Sequence, residues 1–229
     1  MSSDLACPVR KRQLYGRRQS RPLNTRQHEL WENLLPAFLF NSESFKRLSS
    51  NQKISFCLEI GFGSGEHLYQ QALAHPHHFY IGCEPFVNGV AALLQQLDRQ
   101  PLKNIMIMPD DAGLLLAQLP EACLEQVFLL FADPWPKKRH HKRRFVQQKH
   151  LVDIYRVLKP GGTWRIATDH PGYQEWILRV FSQPSAQQMF SPIQQDKGQR
   201  PDWPITRYEQ KAIQEGRSCL YVTYQKKDL

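Results

Sequence analysis

Two short segments of this 229-residue chain hold residue types that chemistry needs. The first is Asp133-Pro-Trp-Pro-Lys-Lys-Arg-His-His-Lys-Arg-Arg144, a carboxylate and a flat aromatic followed by six cations in the eight residues 137–144. An acid beside a stacking surface and a cationic run suits the edge of a site acting on nucleic acid. A solvated basic loop or a localisation signal has the same composition. The second segment is Glu59-Ile-Gly-Phe-Gly-Ser-Gly65. Gly61, Gly63 and Gly65 at alternate positions let the backbone turn tightly and approach a ligand. The third glycine follows the second by two residues, not the three of the dinucleotide fingerprint, and no Gly-Lys-Ser/Thr is present to cradle a triphosphate. Glu59, just ahead of the loop, repels a pyrophosphate and suits a cationic ligand.

Glu84 and Asp110-Asp111-Ala112 add acids at the ends of the next two apolar runs. An acid after the second strand can bind ribose hydroxyls, as in dinucleotide sites, and Asp111 could hold an adenine amino group. Each of these acids alone reads equally as a helix N-cap or a solvated loop residue. With Glu59 and Asp133 they point to S-adenosylmethionine, which joins adenosine to an amino group and a sulfonium and has no phosphate. No metal is expected, because His75, His77 and His78 flank Pro76 with no Cys, Asp or Glu within four residues. Met106 and Met108 alternate along a strand and read as core.

Positioning these residues requires a sheet. Ile54–Ile60, Phe79–Glu84, Asn104–Met108, Gln126–Phe131, Thr163–Thr168 and Cys219–Gln225 read as strands. Helical patterns are expected near 65–74, 87–99, 112–118, 143–158 and 171–182. This alternation predicts an α/β fold, a parallel sheet with helices on both faces, whose ligands bind beyond the carboxyl ends of the strands. Leu30, Trp31, Leu34 and Leu35 read as a core-facing helix broken at Pro36, and the pattern weakens after Ser182 into a polar stretch to Asp202. Residues 1–27 read as a flexible basic arm and 28–229 as one domain.

The formal net charge of +9 is uneven: residues 1–27 carry +6 and 137–144 another +6, leaving the rest at −3. Two basic patches on a mildly acidic body suggest a polyanionic partner. Five scattered cysteines without a Cys-x-x-Cys pair suit a reduced, cytosolic protein. No stretch has membrane-span length. The Arg-rich start admits a mitochondrial transit peptide but lacks an amphipathic apolar face.

The order Glu59-x-Gly-x-Gly-x-Gly65, Glu84, Asp111-Ala112 and Asp133–Arg144 resembles the tRNA (guanine-N7-)-methyltransferase family. Further matches are Tyr15-Gly-Arg-Arg-Gln-Ser-Arg21, Leu158-Lys-Pro-Gly-Gly162, Ala167-Thr-Asp169 and Thr206-Arg-Tyr-Glu209, so the likeness covers roughly residues 12–226. The last motif is more often Thr-Lys-Phe-Glu in that family, a swap that keeps chemical type. The resemblance implies a Rossmann-like class I S-adenosylmethionine-dependent fold with a mostly parallel seven-stranded sheet, cytoplasmic in bacteria, that methylates N7 of the variable-loop guanine of tRNA. It also implies Asp133 as the catalytic acid, touching donor and guanine, and places Lys137, Asp169, Thr206, Arg207, Tyr208 and Glu209 on the tRNA and target base. Trp135 reads equally as a base-stacking surface or a cover for the sheet edge. The cations from Lys138 to Arg144, with the arm, are expected on phosphates. Self-association stays open. Methylation of an exocyclic base amine is less favoured, for want of an Asn-Pro-Pro-aromatic sequence. The glycine spacing disfavours a nucleotide-dependent oxidoreductase, and intact acids at each strand end disfavour a non-catalytic RNA-binding module.

Overall fold

The structure, a computed structural model, describes Gly16 and residues 18–51, 53–197 and 204–228. Three helices lead in: α1 (Thr25–Asn33), α2 (Leu35–Phe38) and α3 (Ser42–Ser49). Asn24 starts α1 by accepting from the Gln27 amide while the Gln27 side chain accepts from the Asn24 amide, a reciprocal cap that satisfies two otherwise orphaned donors. The alternating body follows: β1 (Ser55–Ile60), α4 (Glu66–Ala74), β2 (His78–Cys83), α5 (Val87–Arg99), β3 (Ile105–Met108), α6 (Ala112–Gln118) and β4 (Leu124–Leu130). A 3-10 turn over Lys138–Arg143 comes before α7 (Gln148–Val157), β5 (Leu158–Thr168), α8 (Pro171–Phe181), α9 (Pro184–Met189), β6 (Phe190–Lys197), α10 (Arg207–Gln214) and β7 (Leu220–Lys226).

The seven strands form one sheet in the order β3-β2-β1-β4-β5-β7-β6. The first five are parallel; β7 runs antiparallel to β5, and β6 antiparallel to β7. Successive side chains go to opposite faces. Phe56, Leu58 and Ile60 join Val127, Leu129 and Trp164 on one side, while Cys57, Phe128 and Leu130 join Leu68, Leu93 and Tyr221 on the other. Burying each such Leu or Phe stabilises by about 1.5–3 kcal/mol. The register aligns the strand ends: Ile60 pairs with Cys83 and Leu129, Cys83 with Met108, and Leu130 with Ala167. Whatever follows these residues therefore emerges along one rim. The chain moves outward in opposite directions from β1 and from β4, and the crevice between those two strands is where open α/β sheets bind ligands.

Three sequence expectations need correction. The arm does not extend to residue 27: Arg18 accepts at its carbonyl from the Val87 amide (2.7 Å), Asn88 bonds Ser20 and Arg21, and Arg26 pairs with Asp98 at 2.6 Å. Residues 1–15, which carry part of the expected arm, lie outside the described residues. The helix expected over 143–158 starts only at Gln148, because Arg143 closes the 3-10 turn and the segment from Arg144 to Gln147 is held out of the helix by contacts to α8 described below. Strand β6 was hidden in the polar stretch: it is an edge strand with one neighbour and a register shift near Pro192, so it lacks the apolar alternation of a covered strand. No helix among the described residues is long and apolar enough to cross a membrane.

Candidate active site

The glycine loop turns off the end of β1 with Gly61, Gly63 and Gly65 all at positive φ (73°, 57° and 80°), where side-chain-bearing residues are strained. The three glycines differ in role. A Cβ on Gly61 would meet nothing within 4 Å, so this turn stands open, whereas one on Gly65 would lie 2.9 Å from Leu93. Gly65 thus lets α4 start close against α5. Gly89 on α5, which the sequence reading missed, matters as much: a Cβ there would sit 2.3 Å from the Gly63 carbonyl oxygen. A lone glycine inside a helical pattern was the available signal.

Glu84, at the end of β2, accepts from the Gly63 amide at 2.8 Å and the Phe86 amide at 2.9 Å. Burial, with Asp133 and Glu59 nearby, pushes its carboxyl up to about 7 against the pull of those two amides. Glu59 is buried on β1, its Oε2 2.8 Å from His67 Nδ1 on α4. Asp111 caps α6 by accepting from the Gly113 amide at 2.9 Å, the plain capping role foreseen for it, and it also borders the cleft. Asp133 follows β4 on an exposed turn, and partial desolvation raises its carboxyl from the usual range.

These groups share one cleft of about 380 Å³, lined by Glu59, Gly61, Gly63, Glu84, Asp111 and Asp133, with Ile60, Phe86, Ala112 and Phe145 as apolar walls. Glu66, His67, Trp135, Arg143, Thr206, Tyr208 and Gly16 are also among its lining. Clefts of roughly 300–1,000 Å³ with few polar groups on apolar walls are typical small-molecule sites. Five carboxylates line the cleft, Glu66 being paired with Arg207, and with apolar surface between them they fit a cationic donor built on adenosine: acids for the amino group, ribose and sulfonium, apolar walls for the purine.

The basic turn adjoins this cleft. Lys137, Lys138, Arg139 and Lys142 are exposed, and the Arg143 guanidinium lies 4.9 Å from the centre of the Trp135 ring. Arg144 departs from expectation. It is 2% exposed and donates to the carbonyls of Pro134 (2.7 Å), Gly172 (3.2 Å) and, more weakly, Trp135 (3.5 Å), so it is not a phosphate contact here. Of the residues placed on tRNA by resemblance, Thr206 and Tyr208 reach the cleft, Thr206 also capping α10 through the Glu209 amide. Arg207 instead pairs with Glu66 (2.8 Å) and donates to Ser64 Oγ (2.5 Å), tying α10 to the start of α4. Asp169 pairs with Arg217 at 2.8 Å. Glu209 is wholly buried and accepts from the Tyr221 hydroxyl, so it does not meet a base in this conformation.

Fold and site together define a class I S-adenosylmethionine-dependent methyltransferase. Among solved structures, a variant of the 16S rRNA (adenine(1408)-N(1))-methyltransferase from Catenulisporales acidiphilia with cosubstrate SAM superposes with a TM-score of 0.61 at 15% identity, over 82% of this chain and 92% of that one. The 16S rRNA methyltransferase KamB also gives 0.61 at 15% identity, over 82% and 95%; at such identity the likeness concerns the fold. A family model described as "Putative methyltransferase" matches residues 53–222. The tRNA (guanine-N(7)-)-methyltransferase of Zymomonas mobilis is 42% identical over 98% of both chains, and that of Agrobacterium fabrum 42% identical over 92% of this chain and 93% of its own. The chain belongs to the tRNA (guanine-N7-)-methyltransferase family.

Proposed function

We propose that this protein transfers the methyl group of S-adenosylmethionine to N7 of the variable-loop guanine of tRNA. Guanine N7 has a free lone pair. It attacks the methyl carbon, the nitrogen–carbon bond forming as the carbon–sulfur bond breaks; the bonding pair returns to sulfur, and positive charge passes to the purine. No proton has to leave the nucleophile, so this chemistry needs neither a general base nor a metal. What the protein supplies is placement, for which roughly 7–11 kcal/mol is available, and negative charge aimed at the developing cation.

In this reading Glu59, Gly61, Gly63, Glu84 and Asp111 hold the donor, and Asp133 is the catalytic acid. Its carboxylate can accept from guanine N1–H and N2–H, which grow more acidic as N7 is alkylated. Lys137, Thr206 and Tyr208 are placed to meet the tRNA, and the exposed cations of 137–142 to meet phosphates. The observation that carries the reading is the place of Asp133, on the rim shared by the acid-lined cleft and the basic turn. The reading also places the protein in the cytoplasm; the described cysteines, Cys57, Cys83, Cys123 and Cys219, are free and buried, which suits a reducing compartment.

The test incubates the purified protein with labelled S-adenosylmethionine and unmodified tRNA, then reduces the product and treats it with aniline. Label that maps to chain cleavage at the variable-loop guanine is expected. Label without aniline cleavage would indicate another acceptor atom, and no label would reduce the protein to a binding module.

A further inference from the structure

The loop that carries Asp133 is conformationally costly. Phe131 and Trp135, on either side of it, have positive φ values of 51° and 44°. For residues with side chains, such backbone costs about 1–3 kcal/mol each and persists only where the surroundings over-determine it. On the β4 side the constraint is a sheet-like bond, the Phe131 amide donating to the Ala167 carbonyl at 2.8 Å. On the other side no strand continues, and Pro134 and Pro136 cannot donate backbone bonds.

Arg144 fills that place. Its guanidinium lies between the rings of Tyr173 (5.3 Å) and Trp176 (5.0 Å) of α8 and donates to the carbonyls of Pro134 and Trp135 on one side and Gly172 on the other. Its own segment is fixed to the same helix, because the Tyr173 hydroxyl accepts from the Val146 amide (3.3 Å) and the Trp176 indole donates to the Val146 carbonyl (2.7 Å). A planar fork with five donors can reach several carbonyls while stacking on rings; a lysine ammonium cannot do both.

We propose that Arg144 is a positioning residue for methyl transfer: sunk between two rings of α8, it grips the carbonyls that follow Asp133 and thereby fixes that carboxylate at the cleft. A cation this buried does not bind phosphate, although it ends the most basic run of the chain. The proposal rests on Asp133 being the catalytic acid, and its test separates the two.

Full-length wild type, Arg144→Lys and Asp133→Asn are compared for turnover at saturating tRNA and donor, for tRNA affinity across a salt series, and for amide hydrogen exchange. A misplacement of about 1 Å can cost roughly 100-fold, so Arg144→Lys is expected to lose about that factor in kcat. Its tRNA dissociation constant and salt slope should match wild type, with faster exchange confined to 131–135 and the start of α8. Wild-type kcat in Arg144→Lys overturns the proposal, whatever happens to tRNA binding; a shallower salt slope would then mark Arg144 as a phosphate contact. Loss of protection across the whole sheet overturns it too, since Arg144 would be a general core residue. If Asp133→Asn keeps full turnover, it is the underlying role of Asp133 that fails.

Discussion

On the glycine-loop side of the cleft, Glu84 is fixed by amides of the two turns that flank it, Gly63 and Phe86. On the opposite side, Asp133 sits between two residues of positive φ, and its loop is gripped by a side chain reaching from residue 144 and braced on α8. The first arrangement is assembled from glycine geometry and strand register, and its bonds come from backbone amides. The second depends on a long-range, desolvated cation. On the proposed reading, a donor site built from backbone is expected to tolerate side-chain changes around it as long as the glycines stay, while the Asp133 side is expected to be disabled by residues that never touch substrate.

The sharpest way to break this contrast is to remove each acid's charge in turn. Asp133→Asn is expected to lower kcat by roughly 100- to 1,000-fold, the range for one electrostatic group aimed at developing charge, with tRNA affinity nearly unchanged and donor affinity reduced far less than kcat in titration calorimetry. A comparable loss of donor affinity would show that the two sides are not separable.

Glu84 gives a second, pH-dependent effect. Its carboxyl in the folded protein titrates near 7, above the ordinary 4.5, so the folded state holds this proton more tightly than the unfolded chain. Its contribution to stability is then greatest below pH 4.5, falls as pH rises to about 7 and is level above, by on the order of 3 kcal/mol in all. Wild type minus Glu84→Gln, followed by denaturant melts across that window, should show the decline; a flat difference would mean that the amides of Gly63 and Phe86 offset the burial.

Gly89→Ala tests the backbone side. The new methyl must displace the Gly63 carbonyl, at a cost of about 1–3 kcal/mol, and should weaken binding of the demethylated donor product while leaving tRNA affinity intact. Unaltered product binding would show that the glycine loop shifts freely. The smallest effect is expected from Lys138→Ala, a modest loss of tRNA affinity with a salt slope shallower by about 0.7–0.9 if it meets one phosphate; an unchanged slope would remove it from the tRNA surface.

The same division governs what could be read from the sequence. The shared cleft of Gly61, Gly63, Glu84 and Asp111 was legible because they follow apolar runs whose ends the parallel register aligns, and that register follows from the strand pattern. Gly89 escaped because only the fold brings α5 against the loop. Arg144 was misread because one cation among six in eight residues carries no local mark of burial; its rings and carbonyls come from residues 134–135 and 172–176. Glu209 and Asp169 show a similar limit: a carboxylate in a promising motif says nothing about the Tyr221 hydroxyl or the Arg217 guanidinium bonded to it. Strand β6 lacked the two-faced burial that makes a strand visible.

The contact between Glu59 and His67 bears on how such a chain can drift over generations. Both side chains are almost wholly shielded from water, and removing one member of a shielded ionisable pair can cost about 3–5 kcal/mol by stranding the other. Either position alone is therefore a barrier to change, and a saturation library should recover replacements there mainly as compensated doubles.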